Sequence, residues 1–373
     1  MSIVEDTRVL TDDRLRMVVP KSLQKRAVQW YHHYLQHPGH TRLEETLRAT
    51  MTFSGMRTLV RRHTKYCQSC QFNKRRKLKY GKLPEKRVIR TPWEALCVDL
   101  IGPYTLKGKD GTVIDFMCLT MIDPATSWFE MVELPVIEVE RKTGGHRVEK
   151  EEIFDKTSMQ IANLVYKSWF CRYPRPRFVI YDNGSEFKRH FYDLCHTYGL
   201  TQKPTTIKNP QSNAILERVH DVIMSMLRTA ELDMADTVTS ESLANFLSDA
   251  SWAIRSTHHT VLKASPGAAV FGRDMLFDIP FVADWYKIGE FRQAQTDRNI
   301  ARENSRRYDY DYVVGGQVLI KKDGKLRKSE SRYQGPWTIT QVHTNGTIRV
   351  QRGAQSERLN IRRVTPYFPG EEY

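Results

Sequence analysis

Three acidic residues stand where a folded core has little use for charge. Asp99 interrupts the apolar run Leu96-Cys97-Val98-Asp99-Leu100-Ile101, which Gly102-Pro103 is expected to end. Asp182 closes a second apolar run, Phe178-Val179-Ile180-Tyr181, and is followed by Asn183-Gly184, the pattern of a strand opening into a turn. Glu217 follows Pro210-Gln211-Ser212-Asn213 and enters a stretch in which Val219, Val222, Ile223, Met226 and Leu227 recur at helical spacing. That spacing puts Glu217 on the opposite edge of the helix, with His220 and Asp221 one turn on. A buried carboxylate is neutralised, paired or bound to a metal. Three of them converging from two strands and a helix repel one another unless divalent cations lie between them. An all-oxygen donor set suits Mg²⁺, or Mn²⁺ in its place, with a substrate phosphate completing the shell. Taken singly, each acid is better read as a solvated carboxylate; together Asp99, Asp182 and Glu217 make a candidate divalent-metal site.

A second group combines nitrogen and sulfur. Cys67-Gln68-Ser69-Cys70 lies downstream of His32, His33 and His37, with 29 residues between His37 and Cys67. Imidazole nitrogen and thiolate sulfur are the donors that tetrahedral zinc favours. A CxxC pair also serves redox chemistry, but no βαβ pattern surrounds this one. A closed four-ligand site holds a small domain together and leaves no position for catalysis. His40 and His63 read as surface or packing histidines, and the spacing alone admits either His32 or His33 beside His37.

The elements that must position these residues follow in chain order. Residues 1–20 read as an N-terminal extension without the apolar core of a secretory signal. Residues 21–72 read as three helical stretches, 21–35, 41–50 and 55–66, leading into the CxxC pair. A basic linker, 73–91, contains the run 74–90 with nine Lys or Arg and one Glu, open to a solvated linker, a nuclear-targeting patch or phosphate contact. Strands at 95–101, 113–122 and 127–134, with Gly108-Lys109-Asp110-Gly111 as the first turn, precede a helix at 157–171 and a strand at 177–182. This mixed order spans 92–280. Residues 137–156 carry six acidic and five basic side chains and a Gly-Gly pair, and are expected to be an exposed loop inserted into it. Residues 281–312 include a polar, Arg-rich helix of the kind that bridges domains. In 313–373 short strands return at 317–320, 337–342 and 347–350, with Asn345-Gly346 as a hairpin turn.

The chain carries 58 Lys and Arg against 43 Asp and Glu, a net charge of +15, which makes a polyanion its natural partner. No apolar stretch approaches the roughly 20 residues that span a bilayer. Six cysteines, of which only Cys67 and Cys70 are close, describe no secreted disulfide framework, so a reducing compartment is expected.

The residues also carry a family resemblance. VDLIGP around Asp99, YDNGSEF around Asp182 and NPQSNAILERVH around Glu217 resemble the three acidic motifs of retroviral and Gypsy-type retrotransposon integrases. His37-Pro38-Gly39 resembles the second histidine of that family's zinc domain, and Trp30-Tyr31-His32 its first. SPGAAVFGRDM at 265–275 resembles the segment after the catalytic core, and Gly335-Pro336-Trp337 with the following hairpin resembles the terminal SH3-like module. The interval between Asp182 and Glu217, 34 residues, is one fewer than the family's usual spacing.

The resemblance implies a multidomain α/β protein: a small zinc-bound helical domain (HHCC), an RNase H-like α/β catalytic core and a C-terminal SH3-like β-barrel. It implies His32, His37, Cys67 and Cys70 as ligands of structural Zn²⁺, and Asp99, Asp182 and Glu217 as catalytic ligands of Mg²⁺ or Mn²⁺. The implied activity is that of a polynucleotidyl transferase: divalent-metal-dependent endonucleolytic trimming of DNA ends, then strand transfer into target DNA. Beside such a core, Lys74, Arg75, Arg76 and Lys77 of the linker and Lys321, Lys322, Lys325, Arg327 and Lys328 of the last module become candidates for DNA contact. Double-stranded DNA, a homo-oligomeric state and a nuclear location after a cytoplasmic stage are expected from the family. A domesticated, noncatalytic integrase-derived DNA-binding protein and a related transposase or nuclease with the same acidic triad remain alternatives.

Overall fold

The computed structural model describes residues 10–74, 78–143, 147–204, 214–233, 238–322, 326–327 and 330–370. The chain forms two compact units: residues up to Leu83 together with Asn304 onward, and Pro84–Glu303. No helix of the described residues is long and apolar enough to cross a membrane.

The first unit begins with β1 (Met17–Val18), α1 (Lys21–Tyr34), α2 (His40–Thr50), β2 (Met51–Thr52), α3 (Met56–Tyr66), α4 (Gln68–Asn73) and β3 (Lys79–Tyr80). Its helices bury Val28, Leu43, Leu47, Met56 and Val60 in one cluster. The segment before Lys21 is more than an extension: β1 pairs in parallel with β2, and Gln24 Nε2 donates to the Val19 carbonyl at 3.0 Å. A two-residue strand gives no signal in the amino-acid pattern, because its pairing is set by the partner at Met51 and Thr52.

The second unit contains β4 (Ala95–Lys107), β5 (Val113–Ile122), β6 (Phe129–Glu133), β7 (Val136–Thr143), β8 (Arg147–Phe154), α5 (Ser158–Val165), β9 (Phe178–Tyr181), α6 (His190–Thr197), β10 (Thr201–Pro204), α7 (Ala214–Asp233), α8 (Ser240–Ser256), α9 (Pro266–Phe271) and α10 (Trp285–Asn304). Its five-stranded sheet runs β10-β9-β4-β5-β6. Strand β9 lies parallel to β4 and β10, while β4, β5 and β6 form an antiparallel meander. Helix starts are capped locally: Thr157 accepts from the Gln160 amide, Ser265 from Ala268 with Pro266 following it, and Thr239 and Ser242 form a reciprocal capping box.

Alternation along β4 divides the core in two. Leu96 and Val98 pack with Trp169, Phe187 and Phe191 under α5 and α6. Cys97 and Ile101 pack on the other face with Leu216, Ile223 and Leu227 of α7 and Phe246 and Leu247 of α8. The α7 ridge differs from the one expected, since Val222 is 45% exposed while Leu216 is fully buried.

Two expectations are corrected here. Gly102-Pro103 does not end β4: the strand continues to Lys107 through a register shift between Ile101 and Tyr104. Gly102 has a φ of +105°, and a Cβ there would lie 2.9 Å from the Phe116 carbonyl oxygen, so glycine lets the strand pass the bulge instead of stopping it. Nor is 137–156 a loop, because β7 and β8 pair antiparallel from Val136↔Phe154 to Thr143↔Arg147 as a separate two-stranded sheet. Charge on both faces hides a strand whose pairing needs only backbone groups.

The first unit closes with β11 (Arg307–Tyr308), β12 (Gln317–Lys321), β13 (Tyr333–His343), β14 (Thr347–Arg352), β15 (Gln355–Asn360) and β16 (Val364–Pro366). The last five form an antiparallel sheet in the order β15-β14-β13-β12-β16, and β11 pairs in parallel with β3.

Candidate functional site

The chain reverses sharply after α1. Gln36 and His37 both take left-handed backbone conformations, and the His37 amide donates to the His32 carbonyl at 2.7 Å. This reversal folds the His37 ring back against His32, while Cys67 and Cys70 bracket the start of α4. The structure brings His32, His37, Cys67 and Cys70 together with all four ligand atoms within 4.8 Å of one another. His32 Nε2 lies 3.1 Å from His37 Nδ1 and 3.3 Å from Cys70 Sγ, and His37 Nδ1 lies 3.4 Å from Cys67 Sγ and 3.8 Å from Cys70 Sγ. Zinc bonds of about 2.3 Å to sulfur and 2.0–2.1 Å to nitrogen give tetrahedral N···N and N···S edges of about 3.3 and about 3.6 Å. The set therefore fits zinc in both donor chemistry and spacing. Without metal, the Cys70 hydrogen bond favours the thiolate at Cys67, and the same bond raises Cys70 so that it keeps its proton. His32 is fully buried, whereas His33 is exposed and does not belong to the group.

The acidic residues lie on neighbouring elements. Ala95, Leu96 and Cys97 are the partners of Phe178, Val179 and Ile180; continued by two positions, that register sets Asp99 abreast of Asp182. Cys97 and Ile180 share the core face beneath α7, and alternation carries both acids toward that face. Helix α7 packs on β4 and β5. Asp99 is half-buried and its Oδ1 accepts the Leu100 amide at 2.9 Å. Asp182 is exposed, and its Oδ1 accepts the Gly184 amide at 2.9 Å. Glu217 is exposed as a residue, yet loss of water around its carboxyl and then repulsion from Asp221 raise its pKa, with Arg218 opposing.

The structure does not draw Asp99, Asp182 and Glu217 into one closed cluster: among the described residues, only the His-Cys set gathers three or more such ligand atoms within 4.8 Å. Carboxylates with no cation between them repel. An all-oxygen donor set is of the kind that Mg²⁺ takes.

The basic candidates are dispersed. The Lys74 ammonium donates to the His37 carbonyl. Lys321 and Arg327 are exposed, and Lys322 pairs with Glu330 at 2.8 Å. Arg75, Arg76, Lys77, Lys325 and Lys328 lie outside the described residues.

One interaction over the acidic face escaped the sequence reading: His220 Nε2 lies 2.9 Å from Thr120 Oγ1. His220 was visible one turn after Glu217, but its partner lies 100 positions away on β5.

Residues 19–76 match the integrase zinc binding domain family. A retrovirus-related Pol polyprotein from transposon 412 of Drosophila melanogaster is 22% identical over 337 residues, which cover 83% of this chain and 25% of that polyprotein; the chain thus spans about a quarter of that relative's length. In fold, the chain is similar to a chain of the simian T-cell lymphotropic virus intasome in complex with PP2A regulatory subunit B56 gamma, with a TM-score of 0.55, 14% identity, and coverage of 92% of this chain and 98% of that chain. The HTLV-2 integrase catalytic core domain in complex with magnesium aligns over 47% of this chain and 95% of its own at 15% identity, but its TM-score of 0.32 is too low to weigh. Residues 19–76 therefore form an integrase zinc-binding domain, and the chain is related in sequence to a retroelement Pol polyprotein and has a retroviral-integrase-like fold with a mixed α/β core.

Proposed function

We propose that the chain is a retroelement integrase that trims DNA ends and joins them to target DNA. The observation that supports this reading is the β4–β9 register, Ala95↔Phe178 to Cys97↔Ile180, whose continuation by two positions would bring Asp99 and Asp182 abreast on the face beneath α7. Asp99, Asp182 and Glu217 would hold Mg²⁺ or Mn²⁺, which supplies a lowered pKa for the attacking water or hydroxyl and charge stabilisation for the leaving oxygen. In that role the bonds from Leu100 N–H to Asp99 and from Gly184 N–H to Asp182 would orient one oxygen of each carboxylate. Glu217 must be ionised to bind, and a cation beside it offsets the desolvation that raises its pKa.

The same reading makes 92–280 an RNase H-like core and 313–373 an SH3-like module. It assigns DNA contact to the linker run Lys74–Lys77 and to Lys321, Lys322, Lys325, Arg327 and Lys328, with a homo-oligomer acting in the nucleus. A noncatalytic, integrase-derived DNA-binding protein is the second reading, favoured by the open arrangement of the three carboxylates. A joining assay with duplexes carrying the ends of the encoding element, in Mg²⁺ and in EDTA, separates the two. Metal-dependent joined product, lost in Glu217→Gln with DNA binding retained, supports the enzyme; binding without product supports the second reading.

A further inference from the structure

Helix α7 is tied to the strand pair beneath it by a short chain of hydrogen bonds. Thr120 Oγ1 donates to the Asp99 main-chain oxygen at 3.0 Å. A hydroxyl has one proton, so toward His220, 2.9 Å away, Thr120 can only accept. His220 must then carry its proton on Nε2. Burial drives its pKa down to about 4, which keeps the ring neutral at physiological pH. Thr120 is fully buried and is the cross-strand partner of Asp99. The chain therefore runs from α7 into the peptide of the first acid, starting three residues, or one helical turn, beyond Glu217.

An apolar pair could fill the same space, but it would let the helix slide and turn by fractions of an ångström; two directional bonds in series define one height and one rotation. We propose that His220 and Thr120 are positioning residues that lock α7 against β4 and β5, so that the Glu217 carboxylate is presented to the same metal site as Asp99. The inference rests on the metal-binding reading of the acids and adds two residues that touch neither metal nor DNA in it.

The test uses the full chain and the metal alone. Mn²⁺ binding is followed by electron paramagnetic resonance in the parent, Thr120→Val, Thr120→Ser, His220→Leu and Glu217→Gln, and imidazole ¹⁵N shifts report the His220 tautomer. We expect the neutral Nε2–H tautomer in the parent and in Thr120→Ser. Mn²⁺ binding should weaken about tenfold in Thr120→Val and His220→Leu, with Thr120→Ser close to the parent. His220→Leu leaves the Thr120–Asp99 bond intact and serves if Thr120→Val does not fold. An Nδ1–H tautomer, or parental Mn²⁺ binding in both folded variants while Glu217→Gln has lost it, overturns the positioning role alone. A parent that binds no Mn²⁺, or a Glu217→Gln that binds as well as the parent, overturns the metal-binding reading and this inference with it.

Discussion

Gln71 holds the main chain of Phe368 at two points: its Nε2 donates to the Phe368 carbonyl at 2.7 Å, and its Oε1 accepts the Phe368 amide at 3.0 Å. Gln71 is 2% exposed and follows the ligand Cys70 directly. The Phe368 ring sits beneath the Lys65 ammonium at 4.1 Å and edge-on to Tyr66 at 5.9 Å. The integrase zinc-binding domain and the segment after β16 are thus joined within one compact unit, although 297 positions separate the paired residues.

Replacing Gln71 by Leu keeps the volume and strands the half-buried amide and carbonyl of Phe368. The expected loss is about 2 kcal/mol, read as a lowered denaturant midpoint together with faster amide exchange at Phe368. An unchanged exchange rate there would show that the carboxamide does not hold this segment.

Removing zinc should reach further than the four ligands. A chelator is expected to release the amides of α1 to α4 and also that of Phe368, because α4 carries Gln71. The amides of β4 and β5 should keep their protection. Hydrogen exchange with and without chelator checks this, and an unaltered pattern across residues 20–74 contradicts a structural zinc site.

Gly102→Ala tests the bulge beside Asp99. The added Cβ would meet the Phe116 carbonyl oxygen at 2.9 Å in a backbone with φ +105°, so the melting midpoint should fall by the equivalent of about 2 kcal/mol or more. A parental midpoint would mean that the strand takes another path.

Acid should weaken the second unit through two half-buried histidines. Burial lowers His220 and His259 from the ordinary value of 6.5 to about 4. Between those limits the unfolded chain binds more protons than the folded one, so stability falls as pH drops from 6.5 toward 4 and is complete above that window. Denaturant midpoints measured across it should show the slope in the parent and a shallower one in His220→Leu. Equal slopes would show that His220 titrates normally.

Much of the acidic face was legible because its elements are local. Strand β5 begins and ends where alternation and the Gly108–Gly111 turn put it, and β9 differs by a single residue at each end. Helices α1 to α3 follow their apolar spacing. What could not be read depends on partners distant in the chain. The parallel pairing of β1 with β2, the continuation of β4 past Gly102 and the β7–β8 hairpin draw on backbone hydrogen bonds that side-chain patterns do not encode. The Thr120–His220 and Gln71–Phe368 contacts join ordinary residues whose roles exist only once their elements are packed. Spacing admitted both His32 and His33; full burial of His32 beside Cys70 distinguishes them in the folded domain.

The most direct measurement is the yield of joined DNA from the parent and from Asp99→Asn, with element-end duplexes and Mg²⁺, beside the affinity of each protein for the same DNA. Mg²⁺-dependent product is expected from the parent, with a loss of at least about a hundredfold in Asp99→Asn and unchanged DNA affinity. Equal product from both proteins, or none from a parent that binds the DNA, would contradict the catalytic reading.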